Sequence, residues 1–140
     1  MSNQNQKTQT NDEKQQEAVT GIIRNAGDML QIFCHKAAKD AGWWPEGATE
    51  NRLMFSNKLC LIHSEVSEAM EGDRKGKMDD KLPHREMREV ELADVVIRAF
   101  DLAGAYGFDL GGAIAEKMAF NAIRPDHKLE ARAAEGGKVY

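Results

Sequence analysis

Four carboxylates fall into two pairs, Glu65 with Glu68 and Glu91 with Asp94, inside the stretch KLCLIHSEVSEAMEGDRKGKMDDKLPHREMREVELADVVIRAFD (residues 58 to 101). Partners three residues apart share one face of a helix. Two such helices, set face to face, would bring four hard oxygen donors together. At a spacing of ~5 Å each pair of charges repels by roughly 3 kcal/mol at an effective dielectric near 20. Protonation or a bound cation must relieve that. Carboxylate oxygens suit Mg²⁺, with Mn²⁺ as the alternative. Zinc would want His or Cys at suitable spacing, and a di-iron bundle would want an ExxH motif; the chain has neither.

A single ExxE is common on wet helix surfaces, as Glu86 with Glu89 illustrates, so the neighbours decide. Around a helix Glu65 adjoins Leu61, Ile62 and Ala69, while Asn57, Ser64, Ser67, Glu71 and Lys75 mark the polar side. Glu65 therefore leans inward. The next helix is apolar on nearly every side, with Val90, Leu92, Val95, Val96, Ile97 and Phe100. It belongs in an interior or a subunit interface. Its one polar stripe carries Glu91, Asp94, Arg98 and Asp101, and charges in that setting need partners. Further on, Lys117, Asn121 and Arg124 share a face with Leu110 and Ile114. Beside a metal site they could grip a polyphosphate. The plain alternative is that Lys117 and Arg124 snorkel at a helix C-terminus.

The elements that must position these groups are helices. Residues 1 to 16 are polar and are expected to form a loose tail. Residues 17 to 39 carry Val19, Ile22, Ile23, Ala26, Leu30 and Phe33 at three- and four-residue steps, which predicts helix one, weakened by Gly21 and Gly27. AGWWPEGATE (41 to 50) reads as a loop, with Thr49 capping a second helix over residues 51 to 74 whose core stripe is Phe55, Leu59, Ile62, Val66 and Met70. Pro83 suits the first turn of a third helix, Glu86 and Glu89 its positive end, and Gly107 its close. Asp109 can cap a fourth helix, which Pro125 stops near residue 124. No strand alternation and no internal repeat are present. The fold class is all-α, a bundle of four helices in one domain over residues 17 to 128, with a tail from 129 to 140.

Composition narrows the function. The 140 residues carry a net charge of −4, which leaves no basic footprint for duplex nucleic acid or an anionic membrane. No apolar run approaches the roughly 20 residues of a membrane span, and the polar start has no signal-peptide core. Cys34 and Cys60 stand apart without CxxC spacing and are expected to be buried thiols of a reducing compartment, the cytoplasm.

Taken together, Glu65-x-x-Glu68, 22 intervening residues, Glu91-x-x-Asp94 and the words KLCLIHSEVSEA, ELADVVIRAFDLA and KMAFNAIRPDHK resemble the signature of the MazG-like all-α nucleoside triphosphate pyrophosphohydrolases. The likeness runs from about residue 32 to 128. It implies a Mg²⁺-dependent enzyme that cleaves NTPs or dNTPs to the monophosphate plus pyrophosphate. Glu65, Glu68, Glu91 and Asp94 would be the metal ligands, and Lys117 and Asn121 phosphate contacts. Glu65 or Glu68 would orient the attacking water. Related enzymes stack the base on an aromatic residue after the first helix, which favours Trp44 over Trp43, with His35 lining the same pocket; the alternative is that both tryptophans cover the core. A homodimer or homotetramer is the expected assembly. The ending Asp126-His127-Lys128 departs from the family habit of a glycine after the histidine. Two other readings compete, a hydrolase of another nucleotide such as a guanosine alarmone and a non-catalytic helical interaction protein.

Overall fold

The computed structural model describes residues 2 to 125 and 128 to 133; His127 and the tail beyond Ala133 lie outside the described residues. Among the described residues the protein is all-α, with four main helices: α1 (Ser2–Asp40), α2 (Met54–Lys75), α3 (Met87–Ala105) and α4 (Leu110–Ile123). A 3₁₀ turn (Ala48–Glu50) precedes α2, and a short α5 (Leu129–Ala133) follows α4. Among the described residues the nearest approach to a strand is an isolated bridge, Met78 with Glu86, and no helix among them is long and apolar enough to cross a membrane.

The helix starts differ from those the spacing predicts, each for a local reason. α1 is traced from Ser2, ahead of residue 17; Gln, Lys and Glu are good helix formers, and no Gly or Pro interrupts residues 2 to 20. Thr49 does not cap α2. It lies in the 3₁₀ turn, and Asn51 Oδ1 accepts the Leu53 N–H at 3.0 Å, so the helix begins at Met54. Nor does Pro83 open α3. Residues 76 to 86 form a pinned loop in which Met87 N–H donates to Lys77 O and Asp79 N–H to Arg85 O, both at 3.0 Å. Glu86 then takes the cap position and Glu89 the first turn, where acidic groups meet the positive end of the helix dipole. Gly107 follows the end of α3 as predicted, and Gly76, which the spacing does not single out, ends α2; their positive φ (67° and 58°) favours glycine.

The chain divides into two compact units, and α1 contributes to both. In the first, which joins the part of α1 up to Asp28 with residues from Leu110 onward, Gly27 lies against Gly111. A Cβ on Gly27 would come within 2.5 Å of the Gly111 Cα, so the glycine that weakens α1 as a helix is what lets α4 approach it.

The second unit, Met29–Asp109, is built on an antiparallel pair of helices. Gly72 near the end of α2 faces Met87 and Arg88 at the start of α3, while Phe55 near the start of α2 meets Tyr106 at the end of α3, ring centroids 5.1 Å apart. α1 enters this unit at Gly104, whose missing side chain admits His35; a Cβ there would sit 2.5 Å from the His35 Cβ.

The single chain covers little apolar surface. Its buried hydrophobic residues are Ala48, Ala69, Phe100, Leu102, Ala103 and Ala115 among those described, whereas Leu59, Val66 and Met70 of the expected α2 core stripe are exposed, as are Leu92, Val96 and Ile97 of α3. The thiols also depart from expectation: Cys60 is exposed and Cys34 only partly covered. Cys60 sits between Leu59 and Leu61 in α2, both of them exposed as well.

Candidate active site

The polar stripe of α3 faces α2 at mid-length. Glu65 of α2 and Glu91 and Asp94 of α3 each offer a carboxylate oxygen within 4.8 Å of the other two. Glu65 and Glu91 are buried, at 5% and 8% exposure, which places two negative charges where water screens them least. A cavity of about 450 Å³ opens onto them, lined also by Glu68, Asp79 and Arg98.

The electrostatics follow from that crowding. Burial pushes the Glu91 carboxyl up to about 7, helped by a hydrogen bond with Glu65 and by the negative charges of Glu68, Glu65 and Asp94. Arg98 answers part of the charge, its Nη2 2.8 Å from Glu65 Oε1. The donor set fits a hard divalent cation: Mg²⁺ holds oxygens at ~2.1 Å, so oxygens within 4.8 Å of one another need only small side-chain rotations to share it. Of the four carboxylates that the spacing pairs, three converge. Glu68 is exposed and stands at the rim of the cavity, one turn along α2 from Glu65.

Asp79 is a member that the spacing does not announce. It is 5% exposed, and its Oδ1 accepts the N–H groups of Lys81 (3.0 Å) and Leu82 (2.6 Å), an Asx turn that folds the loop beside the cavity. Nothing in KMDDKL marks it, because loop residues carry no periodicity.

A second polar cluster lies farther along the same stripe. Asp101 Oδ1 accepts the Trp44 Nε1–H at 2.7 Å, and His35 Nδ1 lies 3.0 Å from the same oxygen, so His35 donates through Nδ1 and leaves Nε2 free of this contact. Lys58 Nζ is 3.9 Å from Asp101 Oδ2 and 4.3 Å from the centroid of the Trp44 ring. The negative charge of Asp101, after burial itself, also holds the Cys34 thiol above its ordinary range. A cavity of about 270 Å³ is lined by His35, Lys39, Trp44, Pro45, Thr49 and Ala105. Trp44 and His35 are thus together, as expected, while Trp43 is largely exposed. The stripe Glu91, Asp94, Arg98, Asp101 was legible in the sequence; that its far end ties down Trp44 and His35 was not, and Lys58 carried no signal.

Lys117, Asn121 and Arg124 belong to the other compact unit, on and just after α4. Lys117 is exposed, its Nζ 5.1 Å from the centroid of the Phe120 ring, and the Arg124 guanidinium lies 5.7 Å from the same ring. Asn121 Oδ1 is enclosed without a hydrogen-bond partner among the described residues.

No family model, no curated protein and no solved structure matches this chain.

Proposed function

We propose that the protein is a Mg²⁺-dependent nucleoside triphosphate pyrophosphohydrolase, which cleaves an NTP or dNTP to the monophosphate plus pyrophosphate and works as a homodimer or homotetramer in the cytoplasm. The observation that carries the reading is the convergence of Glu65, Glu91 and Asp94 from two helices on one cavity. Carboxylates this crowded disfavour one another's charge, and a stability-driven fold would replace them with apolar side chains. A dication that neutralises them gives the arrangement a use. The MazG-like resemblance names the same residues. The apolar residues of α2 and α3 that are exposed among the described residues, such as Leu59, Val66, Met70, Leu92 and Val96, are the surface a second copy would cover.

The chemistry follows from the residues. Glu65, Glu91 and Asp94 would hold the cation, which supplies charge neutralisation at the phosphate oxygens and a water of lowered pKa. Glu65 or Glu68 accepts a proton from the attacking water as its oxygen bonds to the α-phosphorus. The bond from that phosphorus to the bridging oxygen breaks, and pyrophosphate leaves with the electron pair. Trp44 and His35 would receive the base, held in place by Asp101. The phosphate roles of Lys117 and Asn121 come from the resemblance, and that of Arg124 from its place on the same helix face.

Product analysis tests this directly. The protein is incubated with the eight common NTPs and dNTPs and a guanosine alarmone, with and without Mg²⁺. Monophosphate plus pyrophosphate, only with metal, is the expected result. Orthophosphate alone, or no turnover of any nucleotide, refutes it.

A further inference from the structure

Arg98 stands one turn beyond Asp94 on α3 and reaches across to α2, where its Nη2 meets Glu65 Oε1 at 2.8 Å. The pair is lopsided. The Glu65 side chain is 7% exposed and the Arg98 side chain 41%, so the guanidinium sits at the mouth of the acidic cavity and covers its deepest carboxylate. Among the described residues, Glu65 is the one carboxylate within ion-pair distance of it. A guanidinium has five N–H donors in a rigid fork, more than one carboxylate oxygen can use. The other cation at this cavity, Lys81, is turned to solvent and lies 3.9 Å from Asp80, so it is not held over the acidic group.

We propose that Arg98 is a catalytic residue that binds the phosphate chain. It holds Glu65 while the cavity has no cation, and gives its N–H donors to non-bridging phosphate oxygens when a divalent cation takes the Glu65 oxygens. The inference rests on reading the cavity as the cation site of a nucleotide pyrophosphohydrolase. A dication among Glu65, Glu91 and Asp94 draws off the negative charge that now holds the guanidinium and repels it in turn. A polyphosphate arriving with the cation restores negative charge at the cavity mouth, in a geometry that a planar fork matches better than an ammonium does. Nothing in the cluster other than Arg98 combines a fixed position with donors to spare.

The test uses the full chain and the variants Arg98→Met and Arg98→Lys. Three quantities are read: Mn²⁺ affinity by calorimetry without nucleotide, affinity for an α,β-methylene triphosphate analogue with Mn²⁺ present, and kcat and KM on the nucleotide turned over fastest. Arg98→Met is expected to bind Mn²⁺ at least as tightly as the parent, because a competing cation is gone. It should bind the analogue roughly 10- to 100-fold more weakly and lose about 10²- to 10³-fold in kcat/KM, the scale of removing one charge-stabilising donor. Arg98→Lys should recover part of the loss. Analogue affinity and kcat/KM within about 3-fold of the parent in Arg98→Met, in a parent that turns over, overturn the role of Arg98 and leave the enzyme reading intact. Should Arg98→Met fail to fold, Arg98→Lys decides: about 10-fold weaker analogue binding at unchanged Mn²⁺ affinity supports the role, and unchanged binding refutes it. A parent that binds the analogue without turnover is judged on analogue affinity alone, by the same limits. A parent that takes up no Mn²⁺, binds no analogue and turns nothing over removes the cation site and the Arg98 role together.

Discussion

Glu91 offers the sharpest perturbation, because its crowding has a size and a sign. Its carboxyl titrates near 7 in the folded, cation-free protein, raised from an ordinary 4.5 by burial first and by its acidic neighbours after that. A raised carboxyl means that the folded state keeps a proton the unfolded chain has already lost. Below about pH 4.5 both states are protonated and no penalty exists. Between there and about 7 the unfolded state binds fewer protons, so stability falls as pH rises. Above 7 the penalty is complete, and at ~1.4 kcal/mol per pH unit it amounts to about 3 kcal/mol. Glu91→Gln removes the charge and keeps the shape. In EDTA it should be more stable than the parent by about 1–3 kcal/mol at pH 8, the lower end allowing for a weakened contact with Glu65, and should show little gain at pH 5. Urea denaturation at the two pH values reads this directly. MgCl₂ at pH 8 should do for the parent what the substitution does. A ligand at 100 times its dissociation constant adds about 2.7 kcal/mol, and the variant should gain much less. If Glu91→Gln stabilises equally at both pH values, or leaves the protein less stable than the parent at pH 8, these carboxylates do not strain one another.

Two further outcomes follow. Asp101→Asn puts an amide where one carboxylate oxygen serves both Trp44 and His35, and should cost about 1–3 kcal/mol for the buried donor left poorly paired; in a Trp43→Phe background, where Trp44 is the sole tryptophan, its near-UV circular dichroism should weaken, and an unchanged spectrum would count against the contact. Gly21 and Gly27 should respond oppositely to alanine: Gly21 has open space and should gain up to ~1 kcal/mol from helix propensity, whereas Gly27→Ala meets the Gly111 backbone and should lose about 1–3 kcal/mol, both read from denaturation midpoints.

The all-α class and the order of the helices were legible because apolar residues recur at helical steps and because Gly107 stands where a left-handed stop is needed. Helix starts were less so. Asn51 and the loop around Asp79 compete for backbone N–H groups through side chains, and periodicity does not register that competition. The inward lean of Glu65 could be read from Leu61, Ile62 and Ala69, and the polar stripe of α3 from its apolar frame. The exposure of Leu59, Val66 and Met70 could not, since an apolar stripe says that a surface wants cover and not which surface supplies it.

By itself the sequence determined which side chains could act as hard ligands and that they lie on helices, since residue type and a three-residue step are local properties. Only the tertiary structure decided the register of α2 against α3, and with it that Glu65 rather than Glu68 joins Glu91 and Asp94, that Arg98 closes on Glu65, and that Asp101 anchors Trp44 and His35. Those pairings join residues far apart in the chain, 66 positions for His35 and Asp101, and Gly104 helps set that one by leaving room for the His35 side chain, since a Cβ there would sit 2.5 Å from the His35 Cβ.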